Sequence, residues 1–110
     1  MLSDLSKGLV SVAAFYASGD WHVKPDMDQE FVQRWTEFLR WTQETFPTKV
    51  TASLLRDQQN PRHYVSFSEW TDEASREAWR QDSGFQEHFG AAAALCENMT
   101  SSYYETAASV

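Results

Sequence analysis

The chain has 110 residues, a length that fits a single domain. It carries 16 acidic and 9 basic residues, and the resulting formal net charge of −7 disfavours nucleic acids and anionic membranes as partners. Charged residues make up 23% and hydrophobic residues 42%, a composition typical of globular proteins. No apolar run approaches the roughly 18 residues that span a bilayer.

The first residues and the cysteine content both bear on the cellular compartment. The opening segment, MLSDLSKG, lacks the charged start, apolar stretch and cleavage site of a secretion signal. Cys96 is the only cysteine, so the chain cannot form an internal disulfide, which fits a reducing environment. We therefore expect one cytoplasmic domain covering residues 1–110.

Aromatic residues are unusually frequent. Phe, Trp and Tyr together make up 15% of the chain. Each such ring can remove about 150–250 Å² from water, so the rings can stabilise a small core. They can equally line a pocket for a flat organic molecule, and composition leaves both possibilities open.

The first half of the chain predicts a strand followed by a helix. The apolar, partly β-branched segment Gly8–Ala17 predicts the strand, and Ser18–Pro25 predicts a loop. Asp26, with Gln29 three residues later, has the spacing of a capping box and predicts a helix that Pro47 ends. Apolar and small residues at intervals of three and four predict its buried stripe: Phe31, Trp35, Phe38, Leu39, Thr42 and Phe46.

The second half predicts a hairpin and two short helices. Lys49–Asp57 and Arg62–Trp70 have strand character and flank a polar turn, which favours a hairpin. Thr71, followed by two acidic residues, predicts the start of a second helix, and the capping signal at Ser83 predicts a third.

A final strand completes the predicted order. Asn98 is a plausible end for the third helix, and Ser101–Ser109 predicts the last strand. The order β-α-β-β-α-α-β is typical of a ferredoxin-like α+β fold with a four-stranded antiparallel sheet.

The predicted strands carry bulky side chains on both faces. These pairs are Phe15 and Tyr16, Phe67 and Trp70, and Tyr103 and Tyr104. Helices cover only one face of such a sheet, so we expect a second copy of the chain to cover the other face in a homodimer.

Several segments carry a resemblance to a known family. Ala52–Asp57, Tyr64–Ala74, Ala78–Arg80 and Phe85–Phe89 together resemble the antibiotic biosynthesis monooxygenase family. The resemblance implies a dimeric α/β barrel with a pocket between the sheet and the helices of each subunit. Members of the family include oxygenases that convert aromatic polyketide phenols to quinones without metal or flavin, and also haem-degrading enzymes.

The resemblance implies pocket positions for a cofactor-independent oxygenase acting with O₂ on a flat phenolic or polyketide-like molecule. Trp70 matches the strand-terminal Trp of the polyketide-oxidising members. Ser66 stands where such a member carries Asn, and Arg56 where it carries His. Ser can hydrogen-bond a phenol and Arg can stabilise a phenolate. Trp70 is equally compatible with a core position.

The haem-degrading members suggest an alternative function. Trp79 and His88, nine positions apart, resemble the Trp-to-His spacing of those enzymes, with His88 as the axial ligand. The predicted first strand, however, has no Asn to orient a haem-bound oxygen. A histidine at a helix flank is also compatible with a structural role.

The remaining candidates complete the predicted site. Tyr64 shares a strand face with Ser66 and can serve as a substrate donor or as a core ring. The catalytic candidates are therefore Ser66, His88 and Arg56, and the substrate-binding candidates are Trp70, Tyr64 and Trp79. No cofactor and no metal site are expected, because the three histidines form no paired helix motif and one cysteine excludes thiolate clusters. A non-catalytic dimeric module that binds a small aromatic molecule remains the second interpretation.

Overall fold

Four antiparallel strands form the framework of the computed structural model, which describes residues 14–46 and 51–110. The strands are β1 (Phe15–Val23), β2 (Thr51–Arg56), β3 (His63–Trp70) and β4 (Cys96–Glu105). Their order across the sheet is β2-β3-β1-β4, so the first strand and the hairpin's second strand occupy the centre.

Three helices cover one face of the sheet. They are α1 (Asp28–Thr45), α2 (Glu73–Gln81) and α3 (Ser83–Ala93). The element order is the predicted β-α-β-β-α-α-β, and the ferredoxin-like α+β architecture is confirmed. In the described part of the chain, no helix combines the length and apolar character needed to cross a membrane.

Strand β1 lies further along the chain than its apolar segment predicted. Residues 8–13 lie outside the described residues, and the predicted loop Ser18–Pro25 is wrong, because the strand continues to Val23. Its small and aromatic residues alternate with polar ones, so that Ala17, Gly19 and Trp21 are buried against the helices. The sequence did not predict this part of the strand, because Gly and Asp are uncommon in strands.

Helix α1 begins two residues later than predicted. Met27 occupies the N-cap position and makes no side-chain cap hydrogen bond, so the predicted capping box at Asp26 is wrong. Asp26 instead takes a φ of 65°, a turn conformation incompatible with a helix start. The predicted apolar stripe is confirmed, since Phe31, Trp35 and Phe38 are buried along with Thr42.

The two shorter helices begin at aspartate caps. The Asp72 carboxylate accepts a hydrogen bond from the Ser75 backbone N–H at 2.7 Å, and the Asp82 carboxylate accepts one from Gly84 at 2.8 Å. Such caps satisfy backbone donors that have no partner within the helix. Both helix starts therefore lie within a residue or two of their predicted positions.

Strand β4 begins earlier than predicted. α3 ends at Ala93, and Cys96 already pairs with Val23. The predicted helix end at Asn98 is wrong, because Asn98 lies within the strand opposite His22. Thr106 then ends the strand by exchanging hydrogen bonds with the backbone of Ala14.

The core consists of two aromatic clusters between the sheet and the helices. One contains Ala17, Phe38, Trp70, Trp79 and Phe85. The other contains Trp21, Val23, Phe31, Trp35, Tyr64 and Ala92. Many ring pairs lie 4.7–6.2 Å apart between centroids, the range in which aromatic contacts are favourable.

The opposite face of the sheet, called the outer face below, has no helical cover among the described residues. Leu55, Phe67 and Tyr104 project from it and are 53%, 43% and 52% exposed. The tyrosine of β1, Tyr16, is held there by a 2.8 Å hydrogen bond from its hydroxyl to Glu69. Large apolar groups on one exposed sheet face are typical of an interaction surface.

Candidate functional site

A cleft lies between the sheet and the three helices. Aromatic side chains dominate its walls: Trp21, Trp35, Phe38, Trp79, Phe85 and Phe89. The cavity within the cleft has a volume of about 50 Å³, well below the several hundred cubic ångströms that are common for ligand sites. The cleft is therefore narrow, and a flat ring fits it better than a bulky molecule does.

The polar groups of the cleft are hydroxyls. They belong to Thr42, Ser66, Ser68, Ser101 and Tyr103. None of the cleft-lining residues in the described ranges is a carboxylate, an imidazole, a guanidinium or an amine. The cleft can therefore donate and accept hydrogen bonds without placing a formal charge beside a ligand.

Two indole groups orient two of these hydroxyls. The Trp21 indole N–H donates to Ser66 Oγ at 2.9 Å, which leaves the serine proton for another acceptor. The Trp79 indole N–H donates to Thr42 Oγ1 at 3.0 Å, and the Thr42 hydroxyl in turn donates a hydrogen bond to the Phe38 carbonyl. Ser66 is thus the buried hydroxyl that retains a proton for a guest molecule.

Gly19 makes the approach of Trp21 to Ser66 possible. It is the cross-strand neighbour of Ser66. A β-carbon added at position 19 would lie 2.5 Å from the Trp21 indole nitrogen and 2.8 Å from Ser66 Oγ. The absence of a side chain at Gly19 therefore allows the cleft floor to form.

Ser66 and Trp79 are the two sequence-predicted site residues that line the cleft. Trp70 lies behind the wall: it is fully buried and its ring contacts that of Trp79 at 5.0 Å. Its indole N–H donates to Ser68 Oγ at 3.1 Å. Trp70 therefore supports a cleft residue from the core.

Tyr64 and Arg56 meet away from the cleft. The Tyr64 hydroxyl accepts hydrogen bonds from Arg56 Nε and Nη2 at 3.0 and 2.8 Å and donates to Asp28 at 2.9 Å. Burial, and then the hydrogen bond to Asp28, raise the pKa of Tyr64. The three residues fasten the hairpin to the first turn of α1, and neither Tyr64 nor Arg56 is a cleft-lining residue.

His88 lies on the outer surface of the helical layer. Its ring stacks on Trp41 with 5.2 Å between centroids, in a shallow depression between α1 and α3. Trp79, nine residues earlier, points into the cleft instead, because the break between α2 and α3 at Asp82 resets the helical phase. The structure therefore does not bring Trp79 and His88 to one pocket, and the haem alternative has no histidine among the described cleft residues.

Sequence reasoning missed Trp21 and Gly19, which shape the cleft floor. Both fall in the predicted loop Ser18–Pro25, although the alternation of Ala17, Gly19, Trp21 and Val23 with polar residues is typical of a strand. Cys96 is outside the cleft, and burial raises the pKa of its thiol to about 11, so it is protonated at neutral pH.

The fold and the cleft together describe a class: small ferredoxin-like domains with an aromatic pocket beneath the helices. The family model for antibiotic biosynthesis monooxygenases matches residues 14–94 of the sequence. The chain therefore belongs to the antibiotic biosynthesis monooxygenase family, as the resemblance implied.

Solved structures share this fold at low sequence identity. A variant of SnoaB, described as a cofactor-independent oxygenase from Streptomyces nogalater, is 20% identical with a TM-score of 0.79, covering 88% of this chain and 96% of that one. A conserved protein from Methanosarcina mazei Go1 is 22% identical with a TM-score of 0.72, covering 86% and 93%. Protein SO0527 from Shewanella oneidensis is 13% identical with a TM-score of 0.73, covering 84% and 90%. No curated protein sequence matches the chain at a significant level.

Proposed function

We propose that the protein is a cofactor-independent monooxygenase that oxidises a flat, phenolic aromatic molecule with O₂ in the cleft. The observation that carries the proposal is the narrow, ring-walled cleft with the Ser66 hydroxyl at its floor. Membership of a monooxygenase family and the similarity to SnoaB, itself described as a cofactor-independent oxygenase, support it.

The chemistry needs no external reductant. Oxidation of a phenol to a quinone supplies four electrons, so one atom of O₂ becomes the new carbonyl oxygen and the other leaves as water. The substrate must first lose its phenolic proton, because the phenolate is the electron-rich form. With no base among the described cleft-lining residues, that proton goes to solvent water before the substrate is enclosed. Hydrogen-bond donors aimed at the resulting anion, in a site that excludes water, lower the energy of that form.

Two cleft residues have assigned roles in this proposal. Ser66 donates a hydrogen bond to the phenolate oxygen, and Trp79 stacks on the substrate ring. Trp70 positions Trp79 from behind. Arg56, Tyr64 and His88 take no part, since they do not line the cleft.

A second candidate function is binding without catalysis. It is favoured by one observation, the lack of a charged or imidazole base among the described cleft-lining residues. General-base catalysis requires a proton acceptor within hydrogen-bond reach of the substrate. A binding module would use the same cleft for an aromatic metabolite and leave it unchanged.

The experiment combines binding with oxygen consumption. Quenching of tryptophan fluorescence would report binding of anthrones and naphthols, since three indoles line the cleft, and an oxygen electrode would report turnover. We expect both signals for at least one compound. The Ser66→Ala variant should bind but turn over on the order of 10²-fold more slowly, the usual effect of losing one anion donor.

Thr36→Ala is the matched control, because Thr36 is an exposed hydroxyl residue of α1 and does not line the cleft. It should turn over at the parent rate. Binding without oxygen uptake above the buffer rate across the panel would favour the second candidate. Equal rates for the parent and Ser66→Ala would remove Ser66 from the mechanism.

The outer face supports a homodimer as part of the same proposal. Leu55, Phe67 and Tyr104 expose apolar surface there, and a second copy would cover it. We expect Phe67→Glu to shift the protein from dimer to monomer in sedimentation at micromolar concentration, because a charge would be buried in the interface. A parent protein that sediments as a stable monomer would contradict this expectation.

A further inference from the structure

A cluster of imidazole and carboxylate groups lies on the outer face, on the side of the sheet opposite the cleft. Asp20 and His22 are alternate residues of β1 and project from the same face. His63 is the cross-strand partner of His22. The sequence contains no metal-binding motif at these positions, because the two histidines are 41 positions apart and only strand pairing brings them together.

The ligand atoms of the three residues converge. His63 Nε2 lies 2.5 Å and His22 Nε2 lies 3.3 Å from the same oxygen, Asp20 Oδ1. One potential ligand atom from each residue lies within 4.8 Å of the others. Ligands 2.0–2.1 Å from a tetrahedral ion are separated by about 3.3 Å, so small side-chain rotations bring all three to bonding distance.

The two imidazoles differ in how firmly they are held. Their rings stack at 4.6 Å with an angle of 14° between planes. The His22 side chain is 45% exposed, whereas that of His63 is only 20% exposed.

Asp57 orients His63 from behind. Its Oδ2 lies 2.9 Å from His63 Nδ1, and because a carboxylate only accepts, it fixes a proton on that nitrogen. The backbone N–H groups of Gln59 and Asn60 hold Asp57 through its other oxygen. Hydrogen bonds to Asp57 and Asp20 raise the pKa of His63. Histidines that bind metals commonly donate their other ring N–H to a carboxylate in this way, which leaves Nε2 to bind the ion.

We propose that Asp20, His22 and His63 bind one divalent transition-metal ion of the Zn²⁺ type, with Asp57 as the positioning residue. Two imidazoles and one carboxylate suit zinc, cobalt or nickel, whereas calcium and magnesium prefer sites made of oxygen alone. The three ligands leave at least one coordination position open for water or another group. All three ligands belong to one chain and lie across the sheet from the cleft, so the site stands independently of the oxygenase proposal.

Co²⁺ is the probe, because its visible absorption reports coordination directly. The full chain, freed of metal with a chelator, is titrated with Co²⁺ and then with Zn²⁺ in competition. We expect one Co²⁺ per chain and its displacement by one Zn²⁺. His22→Gln should abolish the visible bands, because it removes a nitrogen ligand.

Asp57→Asn tests the positioning role without removing a ligand. The Asn oxygen can still accept the turn hydrogen bonds, while its N–H₂ donates to His63 Nδ1 and moves the ring proton onto Nε2. We expect 10- to 100-fold weaker Co²⁺ binding, about the usual loss when such a partner is removed. A far-UV circular dichroism spectrum equal to the parent's would show that the variant is folded.

His88→Gln is the matched control, since His88 lies on the helical layer far from this cluster. It should bind Co²⁺ as the parent does. The proposal is overturned if the parent shows no visible Co²⁺ spectrum, or if His22→Gln and Asp57→Asn both bind with parent affinity. Loss of binding in His88→Gln would equally overturn it, because the ion would then sit elsewhere.

Discussion

Replacing Trp70 with alanine is expected to destabilise the protein by about 3–5 kcal/mol, the usual cost of deleting a buried tryptophan ring. Trp70 is fully buried between Trp79 and Phe46, and no helix or strand can move in to fill a hole of that size without losing other contacts. Domains have a total stability of about 5–15 kcal/mol, so the variant would lose much of it. Chemical denaturation followed by far-UV circular dichroism measures the change.

Trp41→Ala is the matched control for Trp70→Ala. Trp41 is only half-buried, on the outer side of α1 beside His88, so its loss should cost clearly less. A Trp70→Ala variant as stable as the parent but unable to bind aromatic ligands would contradict the core assignment. It would return Trp70 to the substrate-contacting role that the sequence suggested.

Gly19→Ala is expected to close the cleft floor. The new methyl group would lie 2.5 Å from the Trp21 indole nitrogen, so the indole must leave Ser66 and move into the cleft. Overpacking of this kind costs about 1–3 kcal/mol. We also expect aromatic ligands to lose their binding, because the displaced ring occupies their space. Denaturation and fluorescence titration measure the two effects.

Gly90→Ala is the control with the opposite sign. Gly90 lies inside α3, and an added β-carbon there meets no atom within 4 Å. Alanine in an unstrained helical position should stabilise the protein by about 0.4–1 kcal/mol, because it lowers the conformational entropy of the unfolded chain. Ligand binding should be unchanged. If Gly19→Ala bound ligands like the parent, the cleft floor would have to lie elsewhere.

The fold was predictable because its signals are local. The stripe of α1 and the capping signals at the starts of the two short helices follow from residue spacing alone. The boundaries of β1 and β4 were missed where polar residues occupy strand positions, as at Asp20 and Asn98. Such residues are stable in a strand because cross-strand partners and an uncovered face accept them, which the sequence does not reveal.

The candidate site was harder to predict because it depends on which side of a buried layer each residue occupies. Ser66 and Trp79 line the cleft, while Tyr64 and Trp70 share the strand face of Ser66 but are buried in the core. His88 was aligned with Trp79 by spacing, yet the chain breaks between their helices. The alternation of residues along a strand predicts which face of the sheet a side chain occupies. Which residues of that face line the cleft depends on how the helices pack over it.

The hydroxyl-lined cleft has a consequence for how catalysis would respond to acidity. None of the groups identified in its walls changes charge near neutral pH, so the substrate would be the group whose ionisation controls the reaction. Its pH–rate curve would then belong to the substrate: a more acidic phenol would move the rising limb to lower pH, and a less acidic one would move it higher. Such a catalyst selects its reactants by their acidity as much as by their shape.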